Sequence, residues 1–240
     1  MRYKMILSYD GTQYAGWQIQ ENSTTIQEVI ESALSKITQS KISITGSGRT
    51  DSGVHARGQV AHFDYDSATL SLKSLNSLLP NDIRIHSLEI CEDTFHARFS
   101  AKEKIYTYHI TTHKVQSPFI RKYALHHTFP LNQEKILEAI PDLLGTHDFT
   151  SFANSLLPGK DPVKTLLELE FIRESTGFIL KYRGNGFLYK MVRNITGTLL
   201  DIGRGKLPPN SIPDILAAKS RAKAGKTAPP HALFLEKVIY

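Results

Sequence analysis

The chain has 240 residues, of which 40% are hydrophobic and 22% charged, as in soluble globular proteins with one large domain or two smaller units. Its formal net charge of +6 favours a polyanionic partner such as nucleic acid, because neutralised phosphates release counterions. No apolar run approaches the roughly 20 residues that span a bilayer, no signal-peptide core is present, and the single Cys91 excludes an internal disulfide, so we expect a cytoplasmic protein without a membrane association.

The first half shows the order of strand and helix patterns that is typical of a ferredoxin-like unit. Residues 4–9 alternate as a strand, which ends at the turn residues Asp10 and Gly11. Apolar residues spaced by three and four predict a helix from Ile26 to Ile37 with a threonine cap. The other predicted elements are a short strand at 42–45, a strand from Gln59, a helix at 72–79 stopped by Pro80, and one or two strands at 83–90.

The second half repeats this pattern loosely. Its predicted elements are a strand at 105–112, a helix at 136–144 closed by Gly145, strands at 166–172 and 178–183, a long helix opened by 186–194, and a strand at 233–239. The pattern predicts an α+β fold of two ferredoxin-like, or RRM-like, halves, residues 1–103 and 104–240. We expect them to join into one extended, mostly antiparallel sheet.

The glycine-rich stretch at residues 46–56 is not explained by core packing. Its glycines allow positive φ and a close approach of the backbone to a ligand. Arg49 and Asp51 place a cation and a carboxylate among hydroxyl groups and backbone N–H groups that can hold them. A strand follows directly, and functional loops are commonly anchored in this way, although Asp and Gly are also ordinary turn residues.

Residues 48–56, Gly-Arg-Thr-Asp-Ser-Gly-Val-His-Ala, resemble the signature of the TruA family of pseudouridine synthases, which modify transfer RNA. Other stretches that resemble motifs of this family are 9–20 (YDGTQYAGWQIQ), 95–101 (FHARFSA), 145–152 (GTHDFTSF) and 186–194 (GFLYKMVRN). The resemblance runs from Tyr9 to Val238. It implies the two-half fold, with helices on one side of the sheet and an RNA cleft on the other.

The resemblance also implies an activity: isomerisation of uridine to pseudouridine in the anticodon stem-loop, at nucleotides 38–40. This reaction breaks the glycosidic bond, turns the base and rejoins it through carbon, which needs a carboxylate but neither a metal nor another cofactor. The sequence accordingly lacks Walker, Rossmann and Cys/His metal motifs. The implied partners are tRNA and a second copy of the chain, in a homodimer whose one subunit orients the RNA while the other performs the chemistry.

The resemblance assigns roles to three residues, and two more are expected to bind the substrate. Asp51 is the catalytic carboxylate. Tyr106 would stack on the target base and pass a proton, and Arg193 would pair with Asp51 and keep it ionised. Arg49 would contact phosphate and hold the flipped nucleotide, and His55 would join Arg49 and Tyr106 in binding the substrate.

Each assignment has a structural alternative. Tyr106 also fits a core aromatic on a strand, and Arg193 a solvated helix residue. Trp17, the only tryptophan, is either a core aromatic beside a turn or part of a loop that lines the RNA cleft. His55 and His62 lack the third ligand that a metal pair would need.

Two other functions remain open from the sequence. A non-catalytic RNA-binding protein would use the RRM-like sheets, but the expected RNP1 run is absent. A nucleoside hydrolase would use Asp51 as nucleophile and Asp10 or Asp64 as acid, with the carboxylates about 5–10 Å apart. Lys104 and Ala232 depart from the family motifs, and we expect a chain that is short for the family. Whether Asp51 attacks sugar or base stays open.

Overall fold

The structure is a computed structural model that describes residues 1–156, 159 and 161–240. The first elements along the chain are β1 (Arg2–Tyr9), α1 (Ile26–Thr38), β2 (Thr45–Gly46), β3 (His55–Asp64), α2 (Leu72–Leu78) and β4 (Ile83–Cys91). They are followed by β5 (Glu103–Thr111), β6 (Leu125–His126), α3 (Gln133–Ala139), β7 (Gly145–Asp148), β8 (Val163–Glu174), β9 (Gly177–Gly184), α4 (Met191–Gly203), α5 (Ile212–Ala218) and β10 (Leu233–Ile239).

Contacts between residues divide the described chain into two compact units. The first contains Met1–Lys102 together with Phe234–Tyr240, and the second contains Glu103–Leu233. Strand β10 pairs in parallel with β3, with Phe234 opposite His55. The closing strand therefore belongs by its contacts to the first unit, whereas the sequence analysis assigned it to the second half.

In the first unit the strands follow the order β4-β1-β3-β10, and β1 is antiparallel to both β3 and β4. Alternate residues of β1 are buried because they share one face of the sheet. Helix α1 buries Ile26, Ile30 and Leu34, and Thr25 caps it by accepting the N–H of Glu28. The helix and cap predicted from the sequence are thus confirmed.

The strand predicted at residues 42–45 is wrong for 42–44. The N–H of Ile42 donates to Ser35 Oγ (3.2 Å) and the N–H of Ile44 donates to Glu31 Oε1 (2.8 Å). Side chains of α1 therefore satisfy backbone groups that would otherwise pair in the sheet, while both isoleucines remain buried. Pairing with β3 begins at Thr45, which lies opposite His62.

In the second unit the order is β5-β9-β8-β7, with antiparallel neighbours, and β6 adds to β5 in parallel. The predicted helix at 136–144 ends early at Ala139, because a 3-10 turn starts at Pro141. The α+β class and the mostly antiparallel pairing are confirmed. No helix in the described ranges is long and apolar enough to cross a membrane.

Helix α4 is the buried centre of the second unit, and it begins later than the sequence indicates. Lys190 has a left-handed backbone (φ 61°), so the helix starts at Met191. The segment 225–228 runs along it: Thr198 Oγ1 accepts the N–H of Gly225 (2.9 Å), and the Arg193 carbonyl accepts the N–H of Ala228 (3.0 Å). Gly197 allows this close approach.

Replacing Gly197 by Ala should destabilise the protein, although Ala is the better helix former by about 1 kcal/mol. The added Cβ would overlap the backbone carbonyl oxygen of Lys226, and overpacking of this kind costs about 1–3 kcal/mol. Gly203→Ala in the same helix is the control, because the three atoms nearest to its Cβ are side-chain atoms, which move at lower cost than backbone. They are Ile136 Cδ1 at 2.8 Å, and Ile136 Cγ1 and Leu131 Cδ2, each at 3.0 Å. Denaturant unfolding of both variants measures the difference; equal stabilities would contradict the packing argument.

Candidate active site

The loop at residues 47–54 joins β2 to β3 and carries the predicted catalytic carboxylate. Within it, Thr50 is buried, Arg49 is exposed and Asp51 is partly exposed. The Asp51 carbonyl accepts the N–H of Val54 (3.1 Å), which closes a turn with Gly53 in the left-handed region (φ 76°). Arg49 therefore lies at the surface of the loop, and Asp51 is accessible in part.

The segment that contains Trp17 supports this loop from one side. The N–H of Trp17 donates to the carbonyl of Thr50 (3.1 Å), and the N–H of Gly53 donates to the carbonyl of Tyr14 (3.4 Å). Gly16 has φ 93°, and a Cβ there would lie 2.6 Å from the Thr50 carbonyl oxygen. The side chain of Trp17 is 2% exposed, so the interpretation of this residue as a core aromatic is the correct one. Its backbone N–H group is what contacts the loop.

Buried polar side chains hold the loop from the other side. Gln59 on β3 accepts a hydrogen bond from Ser47 Oγ (2.7 Å) and donates one to the carbonyl of Gly48 (3.0 Å). The hydroxyls of Tyr9 and Thr50 are 2.7 Å apart. Burial raises the pKa of Tyr9, so this hydroxyl stays neutral. The sequence analysis missed Gln59 as a site residue. The signal that could have identified it is a polar residue at the start of a run of buried residues on a strand.

His55 lies behind the loop and is 1% exposed. Its ring stacks on Phe234 with centroids 4.7 Å apart, and its Nδ1 accepts the N–H of Gly11 (3.1 Å). Asp10 Oδ1 is also 3.1 Å from this nitrogen. His55 is thus buried at the start of β3, and its expected part in substrate binding stays a prediction.

The carboxylates proposed as acids for a hydrolase are engaged elsewhere in the first unit. Arg2 forms an ion pair with Asp64, with Nη2 and Oδ2 2.8 Å apart, and this hydrogen bond lowers the pKa of Asp64. An aspartate whose pKa is lowered is a poor proton donor at neutral pH. Asp10 accepts the N–H of Thr12 (2.9 Å) at the end of β1. Neither contact favours general acid catalysis.

No group of three or more His, Cys, Asp or Glu side chains in the described part of the chain is placed to hold a metal ion. The Nδ1 atom of His62, the other histidine considered in the sequence analysis, accepts the N–H of Ala97 (3.1 Å). Both histidines of the suggested pair thus use Nδ1 to accept a backbone N–H group of the first unit.

Tyr106 lies on β5 in the second unit, opposite Tyr182 of β9, and is 8% exposed. Its ring is nearly perpendicular to that of Phe187 (83°), with centroids 5.2 Å apart. Phe187 belongs to the segment that leads into α4. This segment therefore links the environment of Tyr106 to the helix that carries Arg193.

Arg193 lies in the first turn of α4 and is 9% exposed, so it is not a solvated helix residue. Its Nε donates to the carbonyl oxygen of Ala228 (2.8 Å), while its own carbonyl accepts the N–H of Ala228. This pair of hydrogen bonds fixes the guanidinium at one end of the helix. A charged group this buried usually has a dedicated role, because its desolvation is costly.

Comparison with known proteins identifies the family. The family model described as tRNA pseudouridine synthase matches residues 5–100 and 139–240. The matched residues contain Asp51 and Arg193, whereas Tyr106 lies between the two matched ranges. Among similar proteins, tRNA pseudouridine synthase A of Bacillus pumilus (strain SAFR-032) is 47% identical, with 100% of this chain and 99% of the relative covered.

Two further relatives give the same result. The tRNA pseudouridine synthase A proteins of Exiguobacterium sp. (strain ATCC BAA-1283 / AT1b) and Bacillus subtilis (strain 168) are each 46% identical, with 100% of this chain and 98% and 99% of the relatives covered. The expectation that the chain is short for its family is wrong for these relatives. The chain belongs to the tRNA pseudouridine synthase family, and it is an isomerase that converts uridine to pseudouridine.

Proposed function

We propose that this isomerase acts on the anticodon stem-loop of tRNA, at nucleotides 38–40, with Asp51 as its catalytic carboxylate. The observation that carries the proposal is the placement of Asp51, partly exposed on a loop whose backbone is held from both sides. A carboxylate in this position can reach an extruded nucleotide without moving its support. The proposal includes a cytoplasmic location, where tRNA is found.

The reaction that Asp51 would perform leaves the atomic composition of the nucleotide unchanged. The bond between C1′ of the ribose and N1 of uracil breaks, and a bond between C1′ and C5 forms. The C5 proton is lost and N1 gains one. A carboxylate supports this exchange either as a nucleophile or by taking a proton from the sugar.

Three further residues complete the proposed site. We propose Arg193 as the cationic partner of Asp51, which is the role that the resemblance to the family implies for it. Arg49 is exposed beside Asp51, where its guanidinium can bind phosphate and hold the nucleotide out of its stack. Tyr106 stacks on the target base and passes on the proton that C5 loses at the end of the reaction.

Asp51→Asn should abolish isomerisation while leaving tRNA affinity within about threefold, because the substitution removes the reactive oxygen but few phosphate contacts. The assay is release of tritium from tRNA labelled at uridine C5. Asp64→Asn is the matched control and should retain turnover, because Asp64 is paired with Arg2 away from the loop. Substantial tritium release by Asp51→Asn would overturn the assignment, and release of free uracil by the wild type would instead indicate hydrolysis.

Tyr106→Phe should keep base stacking but lose proton transfer through the hydroxyl, so that a late step slows and an intermediate accumulates in single-turnover experiments. Tyr106→Ala should weaken base capture as well. Tyr108→Phe, two residues along β5, is the control: it removes a hydrogen bond to the Pro229 carbonyl and should reduce stability by about 1 kcal/mol without slowing the chemistry. Wild-type rates for both Tyr106 variants would assign Tyr106 to the core alone.

We also propose that the chain acts as a homodimer that binds one tRNA with basic residues of both subunits. The second unit exposes the apolar side chains of Val115, Phe119 and Phe129 within one segment, and exposed apolar groups of this kind often mark a protein interface. In a two-fold dimer the same patch meets itself and the assembly closes.

Sedimentation at micromolar concentration should therefore give twice the chain mass of 27.0 kDa. Phe119→Asp should shift the protein to monomer, because a charge would be buried at the interface. The control is Phe99→Asp, which changes an exposed aromatic side chain of the first unit and should leave the dimer intact. A fully active monomer for the wild type would exclude the dimer.

A further inference from the structure

The side chain of Gln59 makes four hydrogen bonds under the active-site loop, and each of its two polar atoms is used twice. Its Oε1 accepts from Ser47 Oγ (2.7 Å) and from the N–H of Val60 (3.2 Å). Its Nε2 donates to the Gly48 carbonyl (3.0 Å) and to the hydroxyl of Tyr9 (3.5 Å). Gln59 is completely buried, so water does not compete for these groups.

The donors and acceptors of this network fix the direction of each bond that Gln59 makes. Because an amide Nε2 can only donate, the hydroxyl oxygen of Tyr9 accepts, and its own hydrogen is free to point at Thr50 Oγ1, 2.7 Å away. The amide of Gln59 therefore reaches Thr50 through Tyr9. One side chain holds Ser47 and Gly48 directly and holds the residue next to Asp51 through a single intermediary.

We infer that Gln59 is a positioning residue for the isomerisation, which sets the location of Asp51 by fixing the backbone and side chains of residues 47–50. This inference rests on the proposed function, in which Asp51 is the catalytic carboxylate. Gln59 itself touches neither substrate nor reacting atoms. Its contribution is geometric, and a displacement of about 1 Å in a catalytic group can lower a rate by roughly a hundredfold.

Replacing Gln59 by Met keeps the approximate length of the side chain but removes all four hydrogen bonds. We expect kcat for tRNA isomerisation to fall by roughly 10–100-fold, while KM stays within about threefold because the exposed phosphate-binding groups are unchanged. Gln27→Met is the matched control. Gln27 is also a buried glutamine of the first unit, and it bonds Gln18, Ile19, Glu31 and Ile44 rather than the loop.

The control variant should lose a similar amount of thermal stability and keep kcat within about twofold of the wild type. If Gln59→Met and Gln27→Met have equal kcat values, the inference is wrong and Gln59 serves folding alone. Asp51→Asn measured in the same assay separates the two proposals: an active Asp51→Asn protein overturns the proposed function, whereas an inactive one beside a fully active Gln59→Met protein overturns only this inference.

Gln59→Glu provides a second test that does not depend on stability. The introduced carboxylate, when ionised, would face the Gly48 carbonyl and the Tyr9 hydroxyl without a hydrogen to donate, whereas its protonated form restores one donor. Burial raises the pKa of a carboxyl group at this position. Tyr9, which faces it from β1, stays neutral, and Arg49 is exposed to solvent.

The activity of Gln59→Glu relative to the wild type should therefore rise as pH falls through the raised pKa of the introduced carboxyl group, and should fall again as pH increases. The ratio of kcat values, measured for both proteins at each pH from about 5 to 9, gives the result directly, because this range brackets the pKa of a buried carboxyl group. A constant ratio over this range would overturn the inference. This test remains decisive even if the Gln59→Met variant fails to fold.

Discussion

The structure of the first unit depends on satisfying the backbone of a loop that must remain partly exposed. A buried carbonyl or N–H group without a hydrogen-bond partner lowers the stability of the fold by about 1–3 kcal/mol. Several such groups would prevent a short loop from keeping one conformation. The carbonyl of Thr50 is satisfied by Trp17, and that of Gly48 by Gln59. These two contacts come from two different segments of the chain, so the backbone from Gly48 to Thr50 has little freedom, and Asp51 follows directly.

The same constraint explains which parts of the site were predictable from the sequence. The glycines, Arg49 and Asp51 form a contiguous pattern, so the loop and its charged residues were identified from local information. Gln59 and Tyr9 are separated from the loop in sequence, and each also fits an ordinary strand residue. Their importance arises from the register of β1 against β3, which places Leu7 opposite Gln59 and shifts before Tyr9. The pattern of residues in a single sequence does not specify that register.

His55 and residues 42–44 show two other limits of sequence reasoning. His55 belongs to the charged motif, yet the parallel pairing of β10 with β3 places Phe234 against its ring and buries it. Ile42 and Ile44 have the alternation of a strand, but Ser35 and Glu31 of α1 take their N–H groups. In both cases a contact with another element of the fold overrides the structure that the local sequence pattern favours.

In the second unit, Arg193 illustrates how a buried charge can be positioned without a carboxylate from its own helix. Its Nε bonds the carbonyl of Ala228, and the segment 225–228 that carries this carbonyl is held along α4 through Thr198 and the approach permitted by Gly197. The guanidinium orientation thus depends on backbone packing about one helical turn away from the charge. Because backbone groups of a packed segment do not titrate, the support that they give to the Arg193 side chain does not depend on pH.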